Sequence, residues 1–275
     1  MDLAPLPAGT NLFITYYNSI SSDASYADGS KVNEDFNLDG RIGIFRGAFY
    51  YKIGGFTALT DVVQPFGSTS ARTTLPGETS HVHLSSPSGL GDFVLHQAVW
   101  LINDPASQFY FAPDLFITMP TGEYDHDKAM NLGGNRWAFR PGFGIVKGIG
   151  SKGTLVQLRG SVEFYTKNDE YLPAKFEQKK DPVYEFQSFL IQFLDPGTFL
   201  ALEYNYTCGG ETKLDGVKQD DETKTHAMGF TVMRMITANT QLIIKYKKDV
   251  DVENGPKTDT LGLRLAYLFP PSDKD

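Results

Sequence analysis

Residues 260–269 read TLGLRLAYLF, and their side chains alternate between two chemical classes. Leu261, Leu263 and Leu265 share one face while Arg264 lies on the other, because successive side chains of a β-strand point to opposite sides. An arginine opposite an unbroken apolar row needs water. The stretch therefore predicts a strand with one face in lipid and one face lining a wet interior.

The same alternation recurs along the whole chain in short segments bounded by Gly, Pro, Asn or Asp. We place strands near residues 10–20, 37–50, 55–65, 90–102, 107–119, 134–147, 153–166, 182–194, 198–208, 224–236, 240–250 and 257–269. Short and long connections alternate strictly, which is typical of outer-membrane barrels. We therefore expect an all-β fold: one antiparallel, up-and-down transmembrane β-barrel of about 12 strands over residues 1–275, with short periplasmic turns and long extracellular loops, in the bacterial outer membrane.

Composition narrows the function classes. No apolar run approaches the roughly 18 to 20 residues that a spanning helix requires, so a helical membrane protein is excluded. The net charge of −8 argues against a nucleic-acid partner, and the single cysteine, Cys208, excludes disulfides within the chain. The start lacks an export-signal pattern, so we expect any such signal to have been removed. The expected partners are the lipid bilayer and lipopolysaccharide.

Some segments fit the pattern poorly. Residues 38–50 and 56–64 mix their faces, with Arg46 and Asp61 out of step, which predicts a β-bulge or a change of register. Several aromatic residues near strand ends are expected at the membrane interface: Tyr16, Trp100, Trp137, Tyr206, Tyr246 and Tyr267.

Prolines interrupt strands that a closed barrel must pair on both sides. Pro113 and Pro141 each delete an inter-strand hydrogen bond. Together with Pro65 and Pro120 they predict a lateral opening toward the bilayer around strands three to six. The alternative is a local bulge with no role in transport.

The N-terminal segment, residues 1–9, is expected to fold into the lumen as a plug. Pro5 and Pro7 cannot donate ladder hydrogen bonds, and Leu3 and Leu6 are poorly placed in open water. A disordered tail is the alternative.

Alternation also assigns polar side chains to the lumen. They either guide a solute or pair across the interior and stiffen the barrel. The candidates are Asp114, Arg140, Gln157, Arg159, Glu163, Glu203, Asn205, Lys245, Lys247 and Arg264.

No catalytic site, metal site or cofactor is expected. His96 facing the lumen beside Asp92 is the one arrangement that could support hydrolysis. The pair His81 and His83 and the cluster at residues 125–127 lie in predicted extracellular loops, where solvated polar residues are ordinary.

Four motifs, in this order and spacing, resemble the outer-membrane transporter family named for the meta-pathway of phenol degradation. They are Leu3-Ala4-Pro5-Leu6-Pro7-Ala8-Gly9-Thr10, Gln64-Pro65-Phe66-Gly67, Gly89-Leu90-Gly91-Asp92 and Met119-Pro120-Thr121-Gly122-Glu123-Tyr124. The resemblance implies a monomeric barrel, often linked to biodegradation, that admits small hydrophobic and sometimes aromatic molecules without catalysis. Two alternatives remain: a narrow diffusion pore for small polar solutes, and a structural barrel that transports nothing.

Overall fold

Twelve long strands dominate the fold. A computed structural model describes residues 4–33, 35–74, 81–85, 87–150 and 153–271. The long strands are β1 (Asn11–Ser22), β2 (Asn37–Ile53), β3 (Phe56–Thr74), β4 (Phe93–Trp100), β5 (Phe109–Met119), β6 (Ala138–Gly148), β7 (Thr154–Tyr165), β8 (Val183–Asp195), β9 (Thr198–Gly209), β10 (Thr223–Met235), β11 (Thr240–Val252) and β12 (Asp259–Phe269). Short strands in the connections are Ser25–Ala27, Ser30–Asn33, His81–Ser85, Ser88–Leu90, Ile102–Asp104, Asn168–Tyr171, Phe176–Lys180, Thr212–Leu214, Val217–Lys218 and Gly255–Pro256.

The long strands close into a cylinder. Each pairs antiparallel with its neighbours in the chain, and β12 pairs with β1 from Asn11↔Phe269 to Ser21↔Asp259. Closure leaves no unpaired sheet edge. The predicted all-β barrel is therefore confirmed, and its twelve strands correspond one to one with the twelve predicted segments. In the part of the chain that the structure describes, no helix is long and apolar enough to cross a membrane.

The two faces of each strand differ as the alternation predicts. Leu261 and Leu265 are 51% and 46% exposed on the outer surface. Between them in sequence, Arg264 is only 8% exposed because it points into the barrel. Large apolar side chains thus cover the outside, as contact with lipid requires.

The bulge expected around residues 38–50 and 56–64 lies at the end of the second range, at residues 64–65, where β3 faces β4 and not β2. β2 and β3 pair without a shift from Asn37↔Arg72 to Ile53↔Phe56. Arg46 and Asp61 both face the lumen and contact each other. They looked out of step because the lumen face of these strands also carries apolar residues. The largest boundary error concerns β3, which runs to Thr74 rather than residue 65.

Apolar side chains fill much of the periplasmic half of the lumen in two clusters. The first apolar cluster lies on β12 and β1–β5 and comprises Leu12, Ile14, Ala48, Tyr50, Leu59, Ala98, Trp100, Ala112 and Ala266. The second apolar cluster lies on β8–β11 and comprises Phe189, Ile191, Phe199, Ala201, Met233 and Ile243. Trp100, 1% exposed, and Tyr16 face inward, so the prediction that they lie at the membrane interface is wrong.

Candidate functional site

Ionic side chains from five strands meet in the middle of the lumen. Arg46 donates two hydrogen bonds of 2.9 Å to the carboxylate of Asp61. Nδ1 of His96 lies 2.5 Å from Oδ2 of the same carboxylate. On the next strands, Arg159 donates to Asp114 at 3.1 Å, and Nε2 of His96 lies 4.0 Å from Asp114. Both carboxylates are almost fully buried, so paired cations compensate charges that would otherwise be costly.

Phe116 holds this network together by ring contacts. Its ring stacks on that of His96 at 3.8 Å with an interplanar angle of 13°. The guanidinium groups of Arg140 and Arg159 lie over the same ring at 4.5 and 4.7 Å. Such stacking fixes the side chains in place. Arg140 also approaches Glu185 at 3.5 Å.

Among the described residues, two cavities lie in the interior of the barrel. The larger, about 420 Å³, is bounded by β1, β2 and β8–β12, and the smaller, about 190 Å³, lies beside the His96 network. Arg46 and Gln187 line both cavities and so form the partition between them. In the larger cavity, Lys245 pairs with Glu203 at 2.6 Å.

All the polar residues assigned to the lumen by alternation lie on inner faces. The larger cavity is lined by Glu203, Asn205, Lys245, Lys247 and Arg264, and the smaller by Asp114, Gln157 and Arg159. Arg140 pairs with Glu185, and Glu163 accepts a hydrogen bond from the Tyr165 hydroxyl at 2.6 Å. Asp61 and Arg46 belong to the same set, but sequence reasoning missed them because their strands do not alternate cleanly.

His96 faces the lumen, but not beside Asp92. The pairing of β3 with the following segment changes register between Val63↔Val94 and Phe66↔Leu90. Asp92 lies in this bulge and turns toward the β5–β6 connection. The proposed pairing of Asp92 with His96 is therefore wrong.

Two prolines lie at bulges in the wall. At Pro65, two residues of β3 face the three residues 91–93. At Pro113, two residues of β5 face the three residues 99–101, between the pairs Phe111↔Ile102 and Asp114↔Ala98. An extra residue lets the wall close around a missing N–H group. Pro120 lies just beyond the end of β5.

The interruption at Pro141 is different. Pairing between β6 and β7 stops after Phe139↔Phe164 and resumes at Gly142↔Ser161 in the same register. Residues 140–141 and 162–163 are thus opposite each other but unpaired, with no bulge. A groove of about 620 Å³ covers this place. Its lining combines outward-facing residues such as Phe143 and Phe164 with the inward-facing Ser161 and Glu185.

Three motifs of the sequence converge at the extracellular edge of β3–β5. The side-chain amide of Gln64 donates a hydrogen bond to the carbonyl of Gly91 at 2.9 Å, and the backbone amide of Glu123 donates to the carbonyl of Leu90 at 2.8 Å. The carboxylate of Asp92 accepts hydrogen bonds from the amides of Gly122 and Gly134 at 2.8 and 2.7 Å. A Cβ on Gly122 would lie 2.7 Å from the Asp92 nitrogen, so only glycine fits this approach.

Residues 4–9, the described part of the N-terminal segment, lie against the periplasmic end of the lumen. The amide of Gly9 donates to the carbonyl of Tyr50 at 2.7 Å, and the amide of Thr10 donates to Pro7 at 3.1 Å. Leu6 packs on the first apolar cluster, and Pro5 is half-buried. Leu3 lies outside the described residues.

Cationic groups line the extracellular entrance. The Lys180 ammonium lies 5.0 Å from the centre of the Tyr165 ring, and burial lowers the pKa of Lys180. Arg136 donates to the side chain of Gln178, and burial likewise lowers its pKa. In the ranges that the structure describes, no group of three or more His, Cys, Asp or Glu side chains is arranged to hold a metal ion.

A closed twelve-stranded barrel with a polar lumen and an apolar outer surface indicates an outer-membrane channel. The profile of the family described as "Putative MetA-pathway of phenol degradation" matches residues 21–265. The chain belongs to this family. Among proteins with curated descriptions, none matches the sequence.

Solved structures place the channel in the bacterial outer membrane. The COG4313 outer membrane channel from Pseudomonas putida F1 has a TM-score of 0.90 and 32% identity over 98% of each chain. The transport unit of the autotransporter AIDA-I from Escherichia coli has a TM-score of 0.58 and 12% identity, covering 98% of this chain and 93% of its own. The NanC porin has a TM-score of 0.51 and 8% identity, and the match covers 93% of this chain and 98% of the porin. The last two show the fold alone; the family and its close structural relative are channels, which are not enzymes.

Proposed function

We propose that the channel mediates passive uptake of small hydrophobic molecules, aromatic ones among them, which leave the lumen sideways through the wall between β6 and β7. The unpaired stretch at Pro141 carries this proposal. It lies under an apolar groove that contacts both lipid-facing and lumen-facing side chains.

The filled periplasmic end of the barrel favours a sideways exit. Toward the periplasm, the two apolar clusters occupy the lumen, and Leu6 of the N-terminal segment packs against the first of them. An apolar solute also gains free energy by moving into lipid rather than into water. A seam that lacks backbone hydrogen bonds costs less to open than a paired ladder.

Not all four prolines support an opening. Pro65 and Pro113 are accommodated by bulges, which favours the alternative of a local irregularity at those two positions. Pro120 lies outside the paired strands. The proposed opening is therefore confined to the seam at Pro141, at one end of the region expected from the sequence.

Closing the seam tests the proposal. In a Cys208→Ser background we would combine Pro141→Cys with Val162→Cys, which face each other across the unpaired stretch, and oxidise the pair to a disulfide. Uptake of the apolar dye N-phenylnaphthylamine by intact cells should fall to the level of cells without the channel. Reduction should restore it. Normal uptake by the oxidised form would overturn the proposal.

Three further variants make the test specific. Leu200→Cys with Val232→Cys crosslinks the regular β9–β10 ladder, where these residues are paired, and should leave uptake unchanged. Val162→Trp fills the groove without any crosslink and should slow uptake, whereas Leu261→Trp on the outer surface of β12, about half-way round the barrel, should not. Normal dye uptake by Val162→Trp would show that the groove is not the route. This result would hold even if the disulfide of the first variant did not form.

A second candidate, a narrow pore for small polar solutes, is favoured by the charged lining of the 420 Å³ cavity. Swelling of proteoliposomes in sugar solutions distinguishes the two, because only a polar pore would admit sugars. A barrel that transports nothing would fail both assays. We further propose that the channel acts as a monomer surrounded by bilayer lipid and lipopolysaccharide.

A further inference from the structure

The 420 Å³ cavity has the size of a small-ligand pocket, and its charges do not balance. Four basic and two acidic side chains line it, and one of the four, Arg46, is paired with Asp61 of the smaller cavity. Both acids are already paired, Glu185 with Arg140 and Glu203 with Lys245. Among the described residues, no carboxylate lies within the 4.0 Å ion-pair distance of Lys247. A positive charge is therefore left facing the cavity.

Hydrogen-bonding groups without partners lie in the same cavity. Oγ1 of Thr231 and Oδ1 of Asn205 are buried and have no hydrogen-bond partner among the described residues. Thr231 is 1% exposed and lies opposite Lys245 in the β10–β11 ladder. Buried polar atoms without partners are unusual and call for an explanation. A ligand oxygen that accepts a hydrogen bond from the Thr231 hydroxyl would satisfy the first of these two groups.

The floor of the cavity is apolar. Phe189 and Ile243 line it and belong to the second apolar cluster. Phe189 lies opposite Glu203 in the β8–β9 ladder, and Ile243 lies opposite Arg264 in the β11–β12 ladder. Apolar and ionic surfaces thus adjoin, which suits a ligand with a charged end and an apolar body.

We infer that this cavity binds a small carboxylate with an apolar body, such as an aromatic acid. The carboxylate pairs with Lys247 and accepts a hydrogen bond from Thr231, and the body rests on Phe189 and Ile243. The inference rests on the proposed function, because the solute has to enter the lumen. It adds to the uncharged hydrophobic solutes a class of apolar acids that carry one negative charge.

Binding of benzoate tests the inference. Equilibrium dialysis of radiolabelled benzoate against the purified channel in uncharged detergent micelles, corrected for micelles alone, should show saturable binding. Benzyl alcohol, which has the same ring but no charge, should bind at least about tenfold more weakly than benzoate. This is the effect expected for the loss of a charge-assisted hydrogen bond. Equal binding of the two compounds would overturn the inference.

Variants of adjacent lysines locate the site. Lys247→Met should weaken benzoate binding by about tenfold. Lys248→Met is the matched control, because Lys248 faces outward, is 52% exposed and pairs with Asp259; it should bind benzoate normally. Thr231→Val should weaken binding by about fivefold, the effect of one ordinary hydrogen bond. Unchanged affinity in Lys247→Met, with the protein folded as judged by its heat-dependent gel mobility, would refute the site.

The outcome is independent of the lateral route. If benzoate binds but the oxidised seam still admits dye, the cavity stands and the sideways exit fails. If the oxidised seam blocks dye but benzoate does not bind, the exit stands and the carboxylate site fails.

Discussion

The barrel has two unlike walls. The proline wall, β3–β7, contains Pro65, Pro113 and Pro141, and its pairing is interrupted at each of them. The regular wall, β8–β12 with β1 and β2, has no proline within its strands, and its two pairing irregularities lie near strand ends. Where each missing N–H group falls therefore decides where the wall is interrupted.

Within the proline wall, a missing hydrogen bond is accommodated in two ways. At Pro65 and Pro113 an extra residue on the partner strand restores closure. At Pro141 no residue is added, and the strands stay in register around an unpaired stretch. A bulge repairs the wall, whereas an unpaired stretch in constant register leaves it weak. This contrast underlies the proposed exit route.

Removing residues 2–9 should have the largest effect, on conduction. Because Leu6 packs on the first apolar cluster, its loss should open the periplasmic end beside the proline wall. Single-channel recording in planar bilayers should show a higher unitary conductance. Pro7→Ala, which changes an exposed residue of the same segment, should conduct like the parent. An unchanged conductance after deletion would mean that the apolar clusters close the barrel alone.

Asp61→Ala should destabilise the barrel by about 3 to 5 kcal/mol, the usual cost of breaking a buried ion pair. Asp61, on the proline wall, is 1% exposed and serves both Arg46 and His96. Urea unfolding from phospholipid vesicles, followed by tryptophan fluorescence, measures the loss.

The matched variant on the regular wall is Glu203→Ala. Its partner Lys245 is 37% exposed and can be hydrated, so the expected loss is about 1 kcal/mol. Equal losses in the two variants would remove this difference between the walls.

Asp92→Asn should lower the free energy of local opening at the extracellular edge of the proline wall by about 2 kcal/mol. An amide group replaces a carboxylate that accepts hydrogen bonds from two backbone amides. Hydrogen exchange at Gly122 and Gly134 should speed up while global unfolding changes little. Asp125→Asn, at a position 42% exposed in the same connection, should leave exchange at these glycines unchanged. Exchange at these glycines as slow in Asp92→Asn as in the parent protein would show that other contacts hold the connection.

Pro141→Ala should have the smallest effect, about 1 kcal/mol of added stability from one restored hydrogen bond. By strengthening the seam it should also slow dye uptake. Pro113→Ala, at a bulge that is already closed, should leave uptake unchanged. If both variants slowed uptake equally, the distinction between a bulge and an unpaired seam would not matter for transport.

Local sequence patterns predicted most of the fold. All twelve strands, the short and long rims and the inward direction of residues such as Arg159 and Lys245 follow from a two-residue period. The pattern misled at Arg46 and Asp61, because the lumen near the periplasm is itself apolar and the contrast between the faces disappears. It misled at His96 as well, because a bulge places Asp92 away from the strand that follows.

The sequence alone determined which side of the wall the cleanly alternating side chains occupy, because that depends only on parity along a strand. Tertiary structure decided which side chains meet. The contacts among Arg46, Asp61, His96, Asp114 and Arg159 join five strands between β2 and β7, and they depend on how the strands are staggered around the barrel. That stagger is a property of the closed cylinder, so no single segment encodes it. The same holds for the seam at Pro141: the proline is visible in the sequence, but whether a bulge repairs the gap depends on the neighbouring strand.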